Sequence, residues 1–305
     1  MKQPNIVVVG SINMDIVVKT SRFPEGGETI LGDEIHFIPG GKGANQAVAL
    51  ARLGAQVTMI GAIGLDPFGR TLMTSMVDSG VNCDYIKIKG EASTGTASIT
   101  LTPDENSIVV VPGANAKLDA SDVQQVETLI HAADAVLLQL EVPLETVEYA
   151  AALAEKHGKI VILNPAPAQP LPESLLRRVH VITPNRTELE ALTGITLGER
   201  PPEEAVDKLL ESGVRCVVTT LGSEGSMWKC REGSLQRQSG YRMNVVDTTG
   251  AGDAFNAGLA YALCADRGIA DAVSFAAKVS GLAVTKFGAQ DGMPTMADVK
   301  TYFHE

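Results

Sequence analysis

The run Asp247-Thr248-Thr249-Gly250-Ala251-Gly252-Asp253 offers an anion site and a base within a few residues. The stretch that follows, Ala254-Phe255-Asn256-Ala257-Gly258-Leu259, has helix-favouring Ala and Leu, and Phe255, Leu259 and Leu263 form an apolar stripe at helical spacing. Gly250 and Gly252 do not suit a helix interior, so Gly250-Ala251-Gly252 reads as a tight turn into a helix N-terminus. Such a start presents unpaired backbone N–H groups and the positive end of the helix dipole, a setting that favours phosphate. A carboxylate at Asp253 would repel that phosphate unless it takes a proton from the group attacking it. An Asp in the first helical turn also serves as a plain cap, and this stretch alone leaves both readings open.

Other polar residues sit where an open α/β sheet gathers ligands, just past apolar strand runs. Ile6-Val7-Val8-Val9 ends at Gly10-Ser11, and Asn13 and Asp15 follow as an amide and a carboxylate suited to a polyol or to a turn. Pro39-Gly40-Gly41-Lys42-Gly43-Ala44-Asn45-Gln46 leads into a helix through Ala47, Val48, Leu50, Ala51 and Leu53. It is neither a Walker A motif nor a dinucleotide fingerprint, because the spacing is wrong for both. Its glycines allow a substrate close to the backbone, though a flexible turn with a solvated Lys fits as well. Gln139-Leu140-Glu141 follows Val136–Leu138, which lets Glu141 face the cleft that Asn13 faces. Asn185 and Glu188 share one face of a starting helix and suit a hydrated Mg²⁺ or a capping box. Thr220-Leu221-Gly222-Ser223-Glu224-Gly225 could receive nucleotide phosphates or simply turn. No Ser/His/Asp order stands out, and the inventory fits phosphoryl transfer to a hydroxyl better than other chemistry.

Composition narrows the classes. The 305 residues are 45% hydrophobic and 20% charged, ordinary for a soluble globular protein. The net charge of −11 argues against a general nucleic-acid or membrane-surface binder. Aromatics, at 4%, are too few to suggest base-stacking platforms. Cys83, Cys216, Cys230 and Cys264 form no Cys-x-x-Cys and have no His at ligand spacing, so they are expected to be reduced thiols of a cytoplasmic protein. Neither a signal peptide nor a membrane span is expected.

The elements needed to position these clusters are legible as apolar runs. Strands are predicted at 6–9, 57–60, 135–138, 160–163, 179–183 and 216–219, with helices from Pro67 and over about 119–130, 143–157 and 203–213. Their alternation predicts a largely parallel sheet with helices on both faces. Residues 16–39 and 95–111 instead read as antiparallel ribbon, forming a small inserted sheet used as an active-site lid or an oligomer contact. With no repeat or linker, residues 1–305 are expected to form one domain, its lid built from about 13–39 and 94–111.

The runs Gly40–Gln46 and Asp247–Asp253 resemble the paired signatures of the ribokinase-like (PfkB) carbohydrate kinases, and Asn185-x-x-Glu188 resembles that family's Mg²⁺-linked motif. The likeness extends over essentially the whole chain. It implies a three-layer α/β/α sandwich with a mostly parallel central sheet and a small β-sheet lid. It also implies ATP-dependent phosphorylation of a sugar, ribose at O5 before deoxyribose, fructose or a nucleoside. A non-catalytic sugar or nucleotide sensor is the remaining alternative. By resemblance Asp253 is the base, and Gly250, Ala251 and Gly252 form the anion hole. Asn13, Met14, Asp15, Gly41, Lys42, Gly43, Ala44, Asn45 and Glu141 hold the sugar together with Asp253. Asn185, Thr220, Leu221, Gly222, Ser223, Glu224, Gly225, Gly252, Asp253 and Ala277 line the ATP site, and Glu188 reaches Mg²⁺ through water. Asp247, Thr249, Ala283, Lys286, Gly288 and Gly292 would supply a K⁺ site, mostly through carbonyls. Two positions depart from the pattern. Gly292 stands where Ser is expected, and Ala277 where His or Asn often meets adenine. The family's lid ribbons pair between subunits, which implies a homodimer.

Overall fold

The computed structural model describes residues 2–304. The chain runs β1 (Asn5–Val9), β2 (Asn13–Lys19), β3 (Glu34–Gly40), α1 (Lys42–Arg52), β4 (Gln56–Ile60), β5 (Ala62–Ile63) and α2 (Pro67–Asp78). It continues through β6 (Lys87–Ile88), β7 (Gly95–Leu101), β8 (Asn106–Val111), α3 (Ala120–Gln124), α4 (Glu127–Ala132), β9 (Ala135–Leu138), α5 (Leu144–Lys156) and β10 (Ile160–Leu163). Then come α6 (Glu173–Leu176), β11 (Val181–Ile182), α7 (Arg186–Thr193), α8 (Pro202–Glu211), β12 (Cys216–Thr220), β13 (Ser226–Cys230) and β14 (Gln236–Gln238). The chain closes with α9 (Ala251–Cys264), α10 (Ile269–Ala283), α11 (Ala289–Gly292) and α12 (Met296–Phe303).

The main sheet has the order β14-β13-β12-β11-β10-β9-β1-β4 and is parallel from β12 to β4. Its strands are apolar without alternation because both faces are covered. Ile6 and Val8 of β1 face α1, α9 and α10, whereas Val7 and Val9 face α4 and α5. The same division separates Ala135 and Leu137 from Val136 and Leu138 on β9. Two helical layers therefore sandwich the sheet, as expected. Helices α9 and α10 approach closely at Gly258, where a Cβ would lie 3.0 Å from Ala276 Cα. That close contact fixes the helix whose first turn carries Asp253.

The second sheet, β3-β2-β7-β8, joins the two predicted ribbons. Strands β2 and β7 pair in parallel, and β2–β3 and β7–β8 are antiparallel. The sheet leans on the body through Phe37 against Phe68 and His36 against Phe287, with ring centroids 5.9 and 5.8 Å apart. Strand β8 is exposed along its whole length.

Several expectations are corrected. The helix over 119–130 is broken between α3 and α4, and the strand over 179–183 shrinks to Val181–Ile182. The antiparallel edge β13–β14 was not anticipated, because Ser226–Cys230 and Gln236–Gln238 lack a strong apolar run. That edge also overturns the reduced-thiol expectation for two cysteines. Strand β13 doubles back on β12, making Cys216 and Cys230 register partners joined by a disulfide. Cys83 and Cys264 remain free and buried, and burial pushes their thiols up to about 11 and about 12.

Candidate active site

Parallel strands place all their carboxyl ends on one side, and the polar clusters meet there. A cavity of about 220 Å³ is lined by Lys42, Asn164, Thr183, Asn185, Glu188, Thr220, Thr248, Gly250, Ala251, Gly252, Asp253 and Asn256. It adjoins a larger cavity of about 570 Å³, which shares Thr220, Thr248, Ala251 and Gly252 with it. The larger one is walled by Gly222, Ser223, Gly225, Tyr241, Met243, Val245, Phe255, Ala277, Gly281 and Val284. The small cavity is mostly polar-lined and suits phosphates, while the apolar walls of the large one suit a flat ring system.

Asp253 decides between the two readings of its motif. Helix α9 starts at Ala251 with Gly250 as its N-cap, at φ 78°, and has no side-chain cap. The carboxylate does not cap the helix. Its Oδ2 accepts from Asn45 Nδ2 and its Oδ1 from Gln46 Nε2, both at 2.9 Å. Helix position leaves the N–H groups of Gly252 and Asp253 without an intrahelical acceptor, while Ala251 N–H donates to Thr248 O at 3.2 Å. Burial pushes the Asp253 carboxyl above the usual range, against Lys42 and the two amide donors.

The glycine-rich start of α1 brings Asn45 and Gln46 to that carboxylate. Gly41 has φ 88°, and a Cβ there would lie 2.7 Å from Asn13 N. A Cβ on Gly43 would lie 2.7 Å from Gly10 C and Ser11 N. Only glycines allow this loop to lie flat against the β1–β2 connection. Lys42 N donates to Glu141 Oε2 at 3.1 Å, and Ser11 Oγ donates to the same oxygen. Asn13 begins β2 and is held by Asn115, whose Nδ2 donates to Asn13 Oδ1 at 2.7 Å. Gly95, its register partner on β7, would carry a Cβ only 2.3 Å from that Oδ1. The side chains of Met14 and Ala44 lie in the core, so they reach the cleft only through backbone.

Four carboxylates surround one ammonium. Burial pulls the Lys42 ammonium down, but Asp253, Glu141, Glu188 and Asp15 together outweigh it and hold it above its ordinary value. Desolvation raises Asp15 to about 7, helped by Glu141 and Asp253 and opposed by Lys42. Desolvation also raises Glu188, against hydrogen bonding from Asn185 and the charge of Lys42.

Asn185 and Glu188 form the capping box: Asn185 Oδ1 accepts from Glu188 N and Glu188 Oε2 from Asn185 N, each at 2.8 Å. Both residues also line the smaller cavity, so the cap and a role at the cavity coexist. Leu221 and Glu224 line neither cavity, and of the expected sugar-binding residues only Lys42 and Asp253 line one; Glu224 pairs with Arg186 at 2.8 Å. Asp247 Oδ1 accepts from Thr249 N and Oγ1, and Oδ2 from Gly288 N. These bonds outweigh burial and hold its carboxyl below the usual range. The Ala283 and Lys286 carbonyls face Gly292, where a Cβ would lie 2.7 and 3.7 Å from their oxygens.

Sequence reasoning passed over several members of the site. Asn164 and Thr183 line the small cavity one residue past β10 and β11, so the strand-end rule that picked Asn13 would have found them. Asn256, one helical turn after Gly252 and Asp253, was open to the spacing argument, whereas Asn115 carried no such signal, since only packing brings it in.

Residues 3–296 match the pfkB family of carbohydrate kinases, and the chain belongs to that family. It is 41% identical over 292 residues to a ribokinase of Haemophilus influenzae, covering 95% of each chain. It is 34% identical over 301 residues to a deoxyribokinase of Salmonella typhi, covering 98% of each. An Arabidopsis thaliana ribokinase structure, complexed with ribose and ATP, superposes with a TM-score of 0.92 at 35% identity, covering 98% of both chains.

The raised Asp15 carboxyl sets a pH dependence. The folded protein holds that proton to about 7 while the unfolded chain releases it near 3.8, so this group lowers stability as pH rises through that window. Asp15→Asn is expected to raise the melting temperature of the ligand-free protein more at alkaline than at acid pH. An equal shift at both, measured by scanning calorimetry, would contradict this.

Proposed function

We propose that this chain transfers the terminal phosphoryl group of ATP to O5 of ribose, giving ribose 5-phosphate and ADP. The observation that carries this reading is the Asp253 carboxylate, aimed off a glycine-started helix beside Lys42 and held by Asn45 and Gln46. The O5–H proton passes to Asp253, O5 bonds to the γ-phosphorus, and the bond from that phosphorus to ADP breaks. The N–H groups of Gly250 and Gly252 in the expected anion hole, joined by that of Asp253, take up negative charge on the transferring group, while the Ala251 N–H is engaged by Thr248 O. Asn13, Asp15, Gly41, Lys42, Gly43, Asn45 and Glu141 orient the sugar, and its base-distal hydroxyls suit Asp15 and Asn13. The larger cavity takes adenosine, with Ala277 in its wall, and Thr220, Gly222, Ser223, Gly225 and Asn185 approach the phosphates.

Two cations fit the residues present. Glu188, with one oxygen committed to Asn185 N, has the other available to a hydrated Mg²⁺, which would neutralise phosphate charge. The carbonyls of Ala283 and Lys286, converging where Gly292 lacks a Cβ, are a donor set suited to K⁺ beside Asp247, Thr249 and Gly288. The protein works in the cytoplasm, where ATP and free sugar are found together, and acts as one domain. Its lid pairs with a second copy. Ile35, Phe37, Ile108, Val109, Val110 and Val111 of that sheet are about half exposed or more, a patch that association would cover.

Deoxyribose is the second reading, favoured by the deoxyribokinase relative. A panel of ribose, deoxyribose, fructose and adenosine with ATP is expected to favour ribose, with faster turnover in K⁺ than without. A large preference for deoxyribose overturns the choice of sugar, and sugar-independent ADP release overturns the kinase reading. Asp253→Ala is expected to lower kcat by about 10²–10⁴-fold while calorimetry still detects sugar binding; near-wild-type turnover refutes the base. Val109→Asp is expected to convert a dimer to monomers in sedimentation runs, and a monomeric wild type removes the lid interface.

A further inference from the structure

Gln46 follows the Asn that touches the catalytic carboxylate, but its side chain points deeper and is wholly buried. Its Nε2 donates to Asp253 Oδ1 at 2.9 Å and to Asn164 Oδ1 at 3.1 Å. Its Oε1 accepts from Gln139 Nε2 at 2.6 Å. A primary amide can turn over and exchange oxygen for nitrogen, but here the Gln139 donor holds the oxygen and the two acceptors hold the nitrogen. Gln139 is also fully buried and fits because residue 10 is glycine, where a Cβ would lie 2.0 Å from Gln139 Oε1. Residues from the ends of β1, β9 and β10 thus set the orientation of one amide on α1. That amide meets the carboxylate on α9.

We propose that Gln46 is a positioning residue for phosphoryl transfer: its Nε2 locks Asp253 Oδ1, leaving Oδ2, on the Asn45 side, to accept the proton of the sugar hydroxyl. This rests on the kinase reading above and goes beyond it. A carboxylate free to rotate would present either oxygen at many angles, and a misplaced base loses much of its effect. The amide also stabilises the charged form by a hydrogen bond. Lys42 favours that form too, while Glu141, Asp15 and Glu188 oppose it. Because Gln46 is neutral, replacing it leaves those charges in place while it removes the donor to Asp253 and Asn164 and the acceptor for Gln139 Nε2. Asn164 extends the contact to the phosphate side, since it lines the small cavity and its Nδ2 donates to Thr183 O at 3.4 Å.

The test is Gln46→Met, which keeps side-chain length and burial but removes the amide. With saturating MgATP, kcat/KM for ribose is expected to fall about 10- to 100-fold at neutral pH, the loss of one hydrogen bond to a charged group. The deficit is expected to shrink as pH rises, because the altered base holds its proton more tightly and regains its charge only in alkali. KM for ribose stays close to that of the wild type. Gln139→Met, which frees the Gln46 amide without touching Asp253, is expected to give a smaller deficit of the same shape. A deficit of equal size at every pH, or a profile that overlays the wild type, overturns the inference. Should Gln46→Met fail to fold, Gln139→Met decides by the same criterion. An active wild type with a flat deficit defeats only this inference; a wild type inactive with ATP on every sugar defeats the proposed function as well.

Discussion

The structure depends on aiming one carboxyl group in a place that disfavours its charge. Asp253 is almost fully buried, and burial alone would hold its proton. Two amide donors and the Lys42 ammonium oppose that tendency. Each must arrive from elsewhere in the chain: Lys42, Asn45 and Gln46 from the start of α1, and Asp253 from the start of α9. The helices must therefore start at set points. Gly41 and Gly250, both with positive φ, are the residues that let the backbone turn into them.

The same balance describes the site as a whole. Asp15, Glu141, Glu188 and Asp253 face one lysine, so the cleft has more acid than its single cation neutralises. Burial, with neighbouring acids adding to it, raises Asp15 and Glu188, which hold protons more readily than free carboxyls. A phosphate donor entering such a cleft meets negative charge at close range, and helix N–H groups with metal cations are the physical remedy. Thus an acidic protein can handle an acidic substrate through local geometry, in spite of its net charge of −11.

The lid is joined to this chemistry by hydrogen bonds and ring contacts. Asn13 opens β2, and Asn115 fixes its side chain from beyond β8. Asp15 on the same strand meets Gly40 at the end of β3, where a Cβ would lie 2.4 Å from its Oδ2. A sheet that reaches out of the body thus also supplies two polar side chains to its centre. Phe37 and His36 brace it on Phe68 and Phe287.

Much of the fold was legible because its signals are local. Ala135–Leu138 and Ile160–Leu163 are unbroken apolar runs that only a strand covered on both faces can use, and Pro67 marks a helix start by its fixed φ and missing donor. The two glycine-rich runs announced helix starts, for the same local reason. What the sequence could not reveal depended on contacts between distant segments. Asp253 reads equally as a cap until Asn45 and Gln46, more than two hundred residues away, are seen to hold it. Cys216 and Cys230 read as separate thiols until β13 folds back and sets them opposite each other. Residue types and spacing therefore determined which groups could do chemistry. The packing of α1 against α9, at the carboxyl ends of a parallel sheet, decided which of them meet, because hydrogen bonds and burial act through space and leave no mark on neighbouring residues.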